Sequence, residues 1–430
     1  MIKKRSITRG LTLVELLVAI VIGMIAVLVL MQVAVNFEGQ KRAAVGTAGA
    51  MDEGAAGLFA LRREIQTAGY GIVDPDLIGC VIAGHSQLEQ CGLPGAPPPG
   101  NYFAFRIVPI LIAQGAGSQP DSISVNYSNS PMIVSAARLQ RGFNGDEGLA
   151  ASEEEKRFKL SNAQGFNPGD TVILANRAIT YSGSNMICSR YELTGQVGAD
   201  EFEHKFGCYT KPAELQPDST KYNRNGGLYP VPGSAAPLPV PGLPALPDIL
   251  AGVAPNYPVG TKVFNLGNNA TSINLSVVGS NLVSASLAPL PGATQTTLFE
   301  NVISFQAQYG FDARPGAQAT IQVPSQNYAV GVGGFSDNIE DVNGDGTTGD
   351  REDWLRLGAV RVAIIVRNKY PERPDPVSGL CATTANPPSW SWGSTTVAVM
   401  AASLPDWQCY RYKSFETVIP LRNMIWKPPT

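Results

Sequence analysis

The sequence predicts an α+β protein in which a long N-terminal hydrophobic helix packs on a large, antiparallel, β-rich globular domain. Residues 11–37 are almost entirely apolar, and a helical repeat continues from there to about residue 70. Beyond residue 100, short runs of β-branched and aromatic residues alternate with Gly, Pro, Asn and Asp, as in strands joined by turns. The chain of 430 residues has 45 glycines, 33 prolines and only 16% charged residues. This composition favours a loop-rich exported domain over a helical or disordered one.

The apolar stretch of residues 11–37 is long enough to cross a membrane. At about 1.5 Å per residue, some twenty apolar residues span the roughly 30 Å hydrocarbon core. Four cationic residues precede the stretch: Lys3, Lys4, Arg5 and Arg9. The positive-inside rule therefore keeps residues 1–10 in the cytoplasm and sends the later residues across the membrane. The only charge within the stretch is Glu15, which is costly in lipid and indicates a partner.

The predicted helix continues as an amphipathic segment over residues 38–70. Leu58, Leu61 and Ile65 recur at helical spacing and define one apolar face. Four glycines predict a less rigid middle, at positions 46, 49, 54 and 57. Gly69-Tyr70-Gly71 is expected to end the helix.

Residues 71–430 form the predicted β-rich extracytoplasmic domain. Its expected strands are Tyr102–Ile112, Ser122–Tyr127, Thr171–Leu174, Met186–Leu193, Ile273–Val278, Leu298–Tyr309, Ala359–Val366 and Phe415–Leu421. Residues 230–258 contain nine prolines and are interpreted as an insertion within the sheet region, with a linker between two subdomains as the alternative.

The net charge argues against general nucleic-acid binding. The formal charge is −3, and removal of the four leader cations leaves 28 basic against 35 acidic residues. Nucleic-acid affinity depends on Lys and Arg that neutralise phosphates, so an acidic surface is unfavourable. Sequence motifs for phosphate-binding loops are absent as well. Because the sequence also shows no constellation of catalytic residues, we expect a protein that is not an enzyme.

Six cysteines follow the hydrophobic helix: Cys80, Cys91, Cys188, Cys208, Cys381 and Cys409. An even number in a translocated domain indicates structural disulfides in an oxidising compartment. Six cysteines allow 15 pairings, and the sequence does not choose among them. Our hypothesis is pairing between sequence neighbours (80–91, 188–208 and 381–409), because each pair brackets a loop-like stretch. Metal ligation is disfavoured, since there is no Cys-x-x-Cys motif and there are only two histidines.

One segment carries a metal-binding pattern. Residues 341–352 match the calcium-loop motif D-x-[DN]-x-[DN]-G-x₅-E. In that motif, side-chain oxygens at positions 1, 3, 5 and 12 and the backbone carbonyl at position 7 surround the cation, position 9 often acts through water, and a glycine at position 6 permits the sharp turn. The corresponding residues here are Asp341, Asn343, Asp345, Thr347, Gly349 and Glu352, with Gly346 at the turn. Three carboxylates without sulfur or imidazole suit Ca²⁺. Because residues 331–337 do not look helical, we expect a calcium-clamped loop between strands, and the alternative is an acidic surface turn that binds nothing.

The start of the chain resembles the class III signal of type IV prepilins and type II secretion pseudopilins. Gly10 directly precedes the apolar stretch, and Glu15 lies five residues after Gly10. The resemblance implies that a prepilin peptidase cleaves after Gly10 and that the new terminus at Leu11 is N-methylated. It also implies that Glu15 pairs with the terminal amine of a neighbouring subunit in a filament. Leu11 stands where Phe is commoner. The helix also lacks the proline of major pilins, and this second departure indicates that the chain is not a major pilin.

Later segments resemble the PilW-type minor pilins of type IV pili. The likeness covers the first 70 residues and roughly residues 298–423. It rests on Leu61–Tyr70, Asn301–Asp312, Trp354, Gly358–Arg367 and Glu416–Asn423.

The PilW resemblance implies a low-copy, non-enzymatic subunit that helps to prime pilus assembly at the inner membrane. Such a subunit would lie at or near the filament tip with other minor pilins, next to the major pilin, and could carry a PilY-type adhesin. Before assembly it would be a single-pass inner-membrane protein with a periplasmic domain, and afterwards part of the surface pilus. The nearest alternative is a J-type minor pseudopilin of type II secretion. A membrane-anchored adhesin or enzyme is an alternative of another class.

Overall fold

The computed structural model describes most of the predicted helix and domain. The described residues are 12–85, 102–130, 136–144, 157–181, 185–193, 195–196, 198–203, 256–267, 271–286, 295–312, 334–375 and 378–425. Gly10, Leu11, Cys91, Cys208 and the proline-rich stretch up to residue 255 lie outside these residues. Within them the predicted class is confirmed: one long N-terminal helix is followed by several antiparallel sheets.

A single helix, α1, runs without interruption over Leu13–Gln66. Its four middle glycines do not break it, contrary to the expected loss of rigidity. Two of them allow close packing instead, because a Cβ atom at Gly54 would overlap the Phe415 ring and one at Gly57 would overlap the Phe299 ring. Tertiary contacts on this face therefore outweigh the low helix propensity of glycine.

Strands make up about half of the remaining described residues. The first eleven are Val81–His85 (β1), Tyr102–Arg106 (β2), Ile110–Ala113 (β3), Ser122–Tyr127 (β4), Ala137–Arg138 (β5), Phe143–Asn144 (β6), Arg157–Lys159 (β7), Thr171–Tyr181 (β8), Asn185–Glu192 (β9), Gly195–Gln196 (β10) and Glu201–Glu203 (β11). The others are Asn256–Tyr257 (β12), Lys262–Gly267 (β13), Thr271–Val278 (β14), Asn281–Ser286 (β15), Gln295–Glu300 (β16), Val302–Phe311 (β17), Phe335–Ser336 (β18), Leu357–Arg367 (β19), Ser389–Trp390 (β20), Gly393–Ser394 (β21) and Tyr412–Pro420 (β22).

Short helices accompany the C-terminal strands. They are Arg351–Leu355 (α2), Val397–Ser403 (α3) and Arg422–Ile425 (α4), with a 3₁₀ turn at Trp407–Cys409.

Three sheets account for most of the domain. A six-stranded sheet has the order β2-β1-β9-β8-β13-β5 and is antiparallel except for the parallel pair β1–β9. A five-stranded antiparallel sheet has the order β16-β15-β14-β4-β3, and a four-stranded one has the order β18-β17-β19-β22. Smaller sheets are formed by β10-β11-β7, β12-β6 and β20-β21.

The largest core lies where α1 meets the five-stranded and four-stranded sheets. Leu61 and Ile65 from α1 are fully buried there together with Phe305 and Val362 from the four-stranded sheet. The six-stranded sheet has apolar layers on both faces, because successive side chains of a strand point in opposite directions. Val172 and Leu174 of β8 therefore enter one cluster, while Ile173 and Ala175 enter another.

Two strands predicted as continuous are divided between sheets. Leu298–Tyr309 becomes β16 and β17, because Asn301 adopts a left-handed conformation with φ 61° between them. Tyr102–Ile112 becomes β2 and β3, separated by a segment that contains Pro109, which has no N–H for a sheet ladder. Local composition predicted the strands correctly but not these changes of direction.

The disulfide hypothesis is wrong for Cys80 and Cys188 and correct for the last pair. Cys80 is bonded to Cys188, with Cα atoms 5.9 Å apart, so the expected 80–91 and 188–208 pairs do not form. The physical reason is the parallel pairing of β1 with β9, which places Ile82 beside Cys188 and brings distant cysteines together. Cys381 is bonded to Cys409 as expected, with a Cα separation of 4.9 Å.

Candidate functional site

The first candidate region is the N-terminal part of α1. Its 22 residues Leu13–Ala34 have the length and apolar composition of a membrane span, and none of that window is buried within the molecule. Large side chains such as Leu13, Met24 and Leu30 are each about 70% exposed. The free energy of removing such a surface from water must therefore come from lipid or from other helices.

Glu15 closes a capping box at the start of α1. Its backbone N–H donates to Oγ1 of Thr12 at 3.3 Å, and its carboxylate accepts from the Thr12 N–H at 3.3 Å. The carboxylate also accepts from the Thr12 hydroxyl at 3.2 Å. This role for Thr12 was missed, although the T-x-x-E pattern before an apolar run is its sequence signature. Gly10 and Leu11, the predicted processing residues, lie outside the described residues.

The second candidate region is the acidic loop, residues 341–353. It follows β18 and leads into α2, so the predicted loop between strands includes a short helix on its exit side. Asp341 accepts backbone N–H groups of Gly344 at 2.7 Å, Asp345 at 3.2 Å and Gly346 at 2.8 Å. These three bonds turn the chain around one carboxylate, and they leave about one of its four acceptor sites available.

The next two predicted ligands continue the same pattern. Oδ1 of Asn343 accepts from the Asp345 N–H at 3.0 Å, and Oδ1 of Asp345 accepts from the Thr347 N–H at 2.7 Å. Gly346 has φ 88°, a conformation that favours glycine, as the motif requires at its sixth position. Asp341, Asn343, Asp345 and Thr347 thus belong to one tightly turned segment.

Gly349 and Glu352 are used differently in the structure. The Gly349 carbonyl accepts from Nη1 of Arg106 at 2.7 Å and from Nε1 of Trp354 at 3.1 Å, so both of its lone pairs are engaged. The Glu352 carboxylate forms an ion pair with the neighbouring Arg351. A cation in the loop would therefore recruit Glu352 from Arg351 and would not use the Gly349 carbonyl.

Asp353 holds the loop closed, and sequence reasoning missed it. Its side chain is fully buried and accepts N–H groups of Val342 at 2.7 Å, Asn343 at 3.2 Å and Gly349 at 2.7 Å. Val342 and Asn343 lie near the start of the loop and Gly349 lies near its end, so one carboxylate fixes the distance between the two ends. The motif stops at Glu352, and the only signal for Asp353 was an acid directly before the apolar Trp354-Leu355.

Negative charge accumulates on the exit side of the loop. Burial raises the pKa of the Asp350 carboxyl to about 6, and the neighbouring charges of Asp353 and Asp345 add to the increase. Burial likewise raises the pKa of Asp353. The pKa of Asp345 is lowered, chiefly by the hydrogen bond from the Thr347 N–H. Across the part of the chain that the structure describes, no three His, Cys, Asp or Glu side chains are gathered closely enough to form a metal site by themselves.

Trp354 and Tyr309 anchor the loop to the main core. Trp354 is fully buried and meets Tyr309 edge to face, with ring centroids 5.8 Å apart. The Tyr309 hydroxyl accepts from the Ile112 N–H at 2.6 Å, which joins the four-stranded and five-stranded sheets. Burial raises the pKa of Tyr309 far above its ordinary range, so it stays neutral.

Comparison with family models agrees with both regions. Residues 5–31 match the prokaryotic N-terminal methylation motif. Residues 263–423, from β13 to α4 and including the acidic loop, match the type IV pilus-assembly protein W family, PilW. Together the two matches support a type IV pilus-related, pilin-like protein. No curated protein and no solved structure matches the chain.

The segments that resemble the PilW family form central strands of the fold. The segment resembling the family at Asn301–Asp312 contains β17, and Gly358–Arg367 is β19 without its first residue. Both strands are central in the four-stranded sheet on which α1 packs. The exposed apolar helix and the methylation motif fit a membrane-anchored, pilin-like protein.

Proposed function

We propose that this protein is a non-enzymatic minor pilin that primes assembly of a type IV pilus. It would lie at or near the filament tip with other minor pilins, above the major pilin, and would present its domain to a PilY-type adhesin. The observation that carries the proposal is a single helix that starts with a methylation motif, exposes its apolar half completely and packs its other half on a PilW-type domain.

Assembly would proceed through helix association. The apolar side chains of Leu13–Ala34 hold the chain in the inner membrane until neighbouring helices replace lipid around them. Glu15 would then leave its contact with Thr12 and pair with the amine of an adjacent subunit. An ion pair offsets the cost of holding a carboxylate in an apolar bundle, so it also selects the register between helices. The domain after α1 would be periplasmic before assembly.

Mass spectrometry of sheared pili tests this proposal. Pili freed from membranes should contain a low-abundance, methylated peptide that begins at Leu11. The same peptide confined to the membrane fraction would favour a pseudopilin, and an intact Met1 terminus there would favour an uncleaved anchored protein. Gold labelling of an epitope in the domain should mark filament ends, whereas labelling along the whole shaft would contradict the tip position.

We also propose that the acidic loop binds Ca²⁺. Support comes from the full match to the motif, the turned backbone around Asp341 and the position of the Asp345 carboxylate in the same segment. Asp341, Asn343, Asp345, the Thr347 carbonyl and Glu352 would supply the oxygen ligands. The cation would hold the loop in one shape and would take no part in any reaction.

Thermal melting in detergent tests the calcium proposal. Ca²⁺ should raise the melting temperature of the full-length chain relative to excess chelator, because a ligand that binds only the folded state stabilises it. Glu352→Ala and Asp341→Asn should each shrink that increase, whereas Asp406→Asn, which changes an exposed carboxylate elsewhere, should leave it intact. Equal melting temperatures of the unmutated protein with Ca²⁺ and with chelator would refute calcium binding.

A further inference from the structure

The acidic loop contacts the six-stranded sheet through a partly buried arginine, Arg106. Arg106 ends β2, and its Nη1 donates to the Gly349 carbonyl at 2.7 Å and to the Gly79 carbonyl at 3.3 Å. One nitrogen thus joins the loop to the turn that precedes β1. The negative charge of Asp350 favours the charged guanidinium, while burial opposes it and lowers the Arg106 pKa.

A second contact lies beside the first. Nη1 of Arg351, at the exit side of the loop, donates to the Pro75 carbonyl at 3.2 Å. Gly79 has φ 79°, and a Cβ atom at that position would lie 3.2 Å from the Arg351 backbone. The backbone of the loop's exit and the backbone of the 74–80 turn therefore meet with no side chain between them.

The same turn is continuous with the disulfide-linked strands. Gly79 donates to the Ile107 carbonyl at 2.8 Å, and Ile107 donates to the Cys80 carbonyl at 2.8 Å. Cys80 is bonded to Cys188 of β9, which is parallel to β1. The path from the loop to the six-stranded sheet is thus short, buried and made of directional contacts.

We propose that Arg106 is a positioning residue that couples the acidic loop to the disulfide-linked edge of the six-stranded sheet. A cation held by the loop then slows local opening of β1, β2 and β9 as well as of the loop itself. The inference rests on the proposed calcium site, since it describes what binding at that site does elsewhere. It assigns the loop a role in joining the PilW-matched region to the strands that precede that region.

The physical basis of the coupling is that few conformations of the loop let the Gly349 carbonyl accept the hydrogen bond from Arg106. The Gly349 carbonyl faces Arg106 only while Asp353 holds the Gly349 N–H from the other side. Without a cation, repulsion among the loop carboxylates favours opening, and each opening leaves the Arg106 guanidinium with one acceptor fewer in a buried place. A bound cation removes that repulsion, so the closed shape and its contact with the sheet become populated together.

Hydrogen exchange with mass spectrometry tests the coupling in the full-length chain in detergent. With Ca²⁺ compared with chelator, peptides covering 341–355 should exchange more slowly in the unmutated protein. Peptides covering 79–85, 102–106 and 186–192 should also slow, by about fivefold or more for a typical coupling. Peptides from β14 and β15, which lie in another sheet, serve as the internal reference.

Substitution of Arg106 separates coupling from simple stability. In Arg106→Gln, Ca²⁺ should still protect the loop but no longer protect the β1, β2 and β9 peptides, and Arg106→Lys, which keeps a cationic donor, should restore the distant protection. Arg138→Gln is the matched control, because Arg138 also donates to a backbone carbonyl, that of Gly260, on the same sheet away from the loop.

Two outcomes would overturn the inference, and they are distinguishable. Protection confined to the loop in the unmutated protein would refute the coupling and leave the calcium site intact. No protection anywhere would refute the calcium site and the coupling together. Both outcomes are measured on the unmutated protein, with Ca²⁺ compared with chelator, so they can be told apart even if Arg106→Gln fails to fold.

Discussion

The two halves of α1 have the same backbone and opposite surroundings. From Leu13 to Ala34 the helix is apolar on every side, and none of it is buried within the molecule. From Ala50 to Gln66 it lies on two sheets, with Leu61 and Ile65 fully buried and Gly54 and Gly57 beneath aromatic rings. The first half is therefore a surface for other molecules, and the second half is part of the domain core.

Because of this difference, one half of the helix should determine assembly and the other half should determine folding of the domain. Changes in the exposed half should alter membrane and filament association while the domain melts normally. Changes in the packed half should destabilise the domain regardless of any partner. A variant that does both would show that the two halves are not independent.

The largest effect is expected for Glu15→Ala. Removing one member of a buried ion pair costs about 3 kcal/mol or more, which corresponds to roughly a hundredfold lower incorporation into filaments. Immunoblots of sheared pili measure this loss, and the melting temperature of the domain should not change. Thr12→Ala is the matched control, because it removes the capping box and keeps the carboxylate. If Thr12→Ala abolished incorporation as completely, capping rather than pairing would explain the role of Glu15.

The next largest effect is expected for Gly54→Ala. The added methyl group would overlap the Phe415 ring, and such overpacking costs about 1–3 kcal/mol. Gly49→Ala is the matched control on the same helix, because a Cβ atom there meets nothing within 4 Å. That change should be neutral or stabilising by up to about 1 kcal/mol, since alanine is the better helix former. Equal melting temperatures for the two variants would contradict the packing argument.

The sequence was sufficient to predict features that depend on local pattern. The apolar period predicted α1, and strand composition predicted β4 with the bounds that the structure has. The motif also located the turned segment at Asp341–Thr347, with Gly346 in the required conformation. In each case the determining interactions lie within about a dozen residues.

Features that depend on distant neighbours were missed. The Cys80–Cys188 bond follows from the parallel pairing of β1 with β9, across 108 residues. The contact between the Gly349 carbonyl and Arg106, 243 residues earlier, was likewise not predicted. Asp353 was missed because a buried acid is recognisable only from the three N–H groups that face it. No spacing rule within one segment carries that information.

The stability of the packed part of the molecule should depend on pH through one buried carboxyl group. Asp121 is 2% exposed, and its carboxylate accepts N–H groups of Gly115 and Ala307, each at 2.8 Å. Burial raises its pKa to about 6. The folded state therefore keeps a proton that the unfolded chain releases, so stability should fall by roughly 2 kcal/mol as the pH rises from about 4 to about 6.

Melting curves across this pH range test the Asp121 prediction. Asp121→Asn should flatten the decline, although it lowers stability at acid pH by disturbing one of the two accepted bonds. Asp350 changes stability in the same direction, so the difference between variant and unmutated protein is the relevant quantity. Asp406→Asn, at an exposed carboxylate, should keep the full slope, and an unchanged slope in Asp121→Asn would contradict the assignment.

The smallest predicted effect concerns the end of the packed half. Nδ2 of Asn423, in α4, donates to the carbonyls of Gln66, Thr67 and Ala68 at 3.4, 3.3 and 2.9 Å, where α1 has no further turn to supply donors. Asn423→Ala should therefore cost about 1 kcal/mol. Asn423→Asp should cost more, because a carboxylate repels the negative end of the helix dipole, whereas Arg422→Ala next to it should be neutral. If Asn423→Asp melted like the unmutated protein, this cap would not secure α1 to the domain, and the independence of the two halves would rest on the sheet contacts alone.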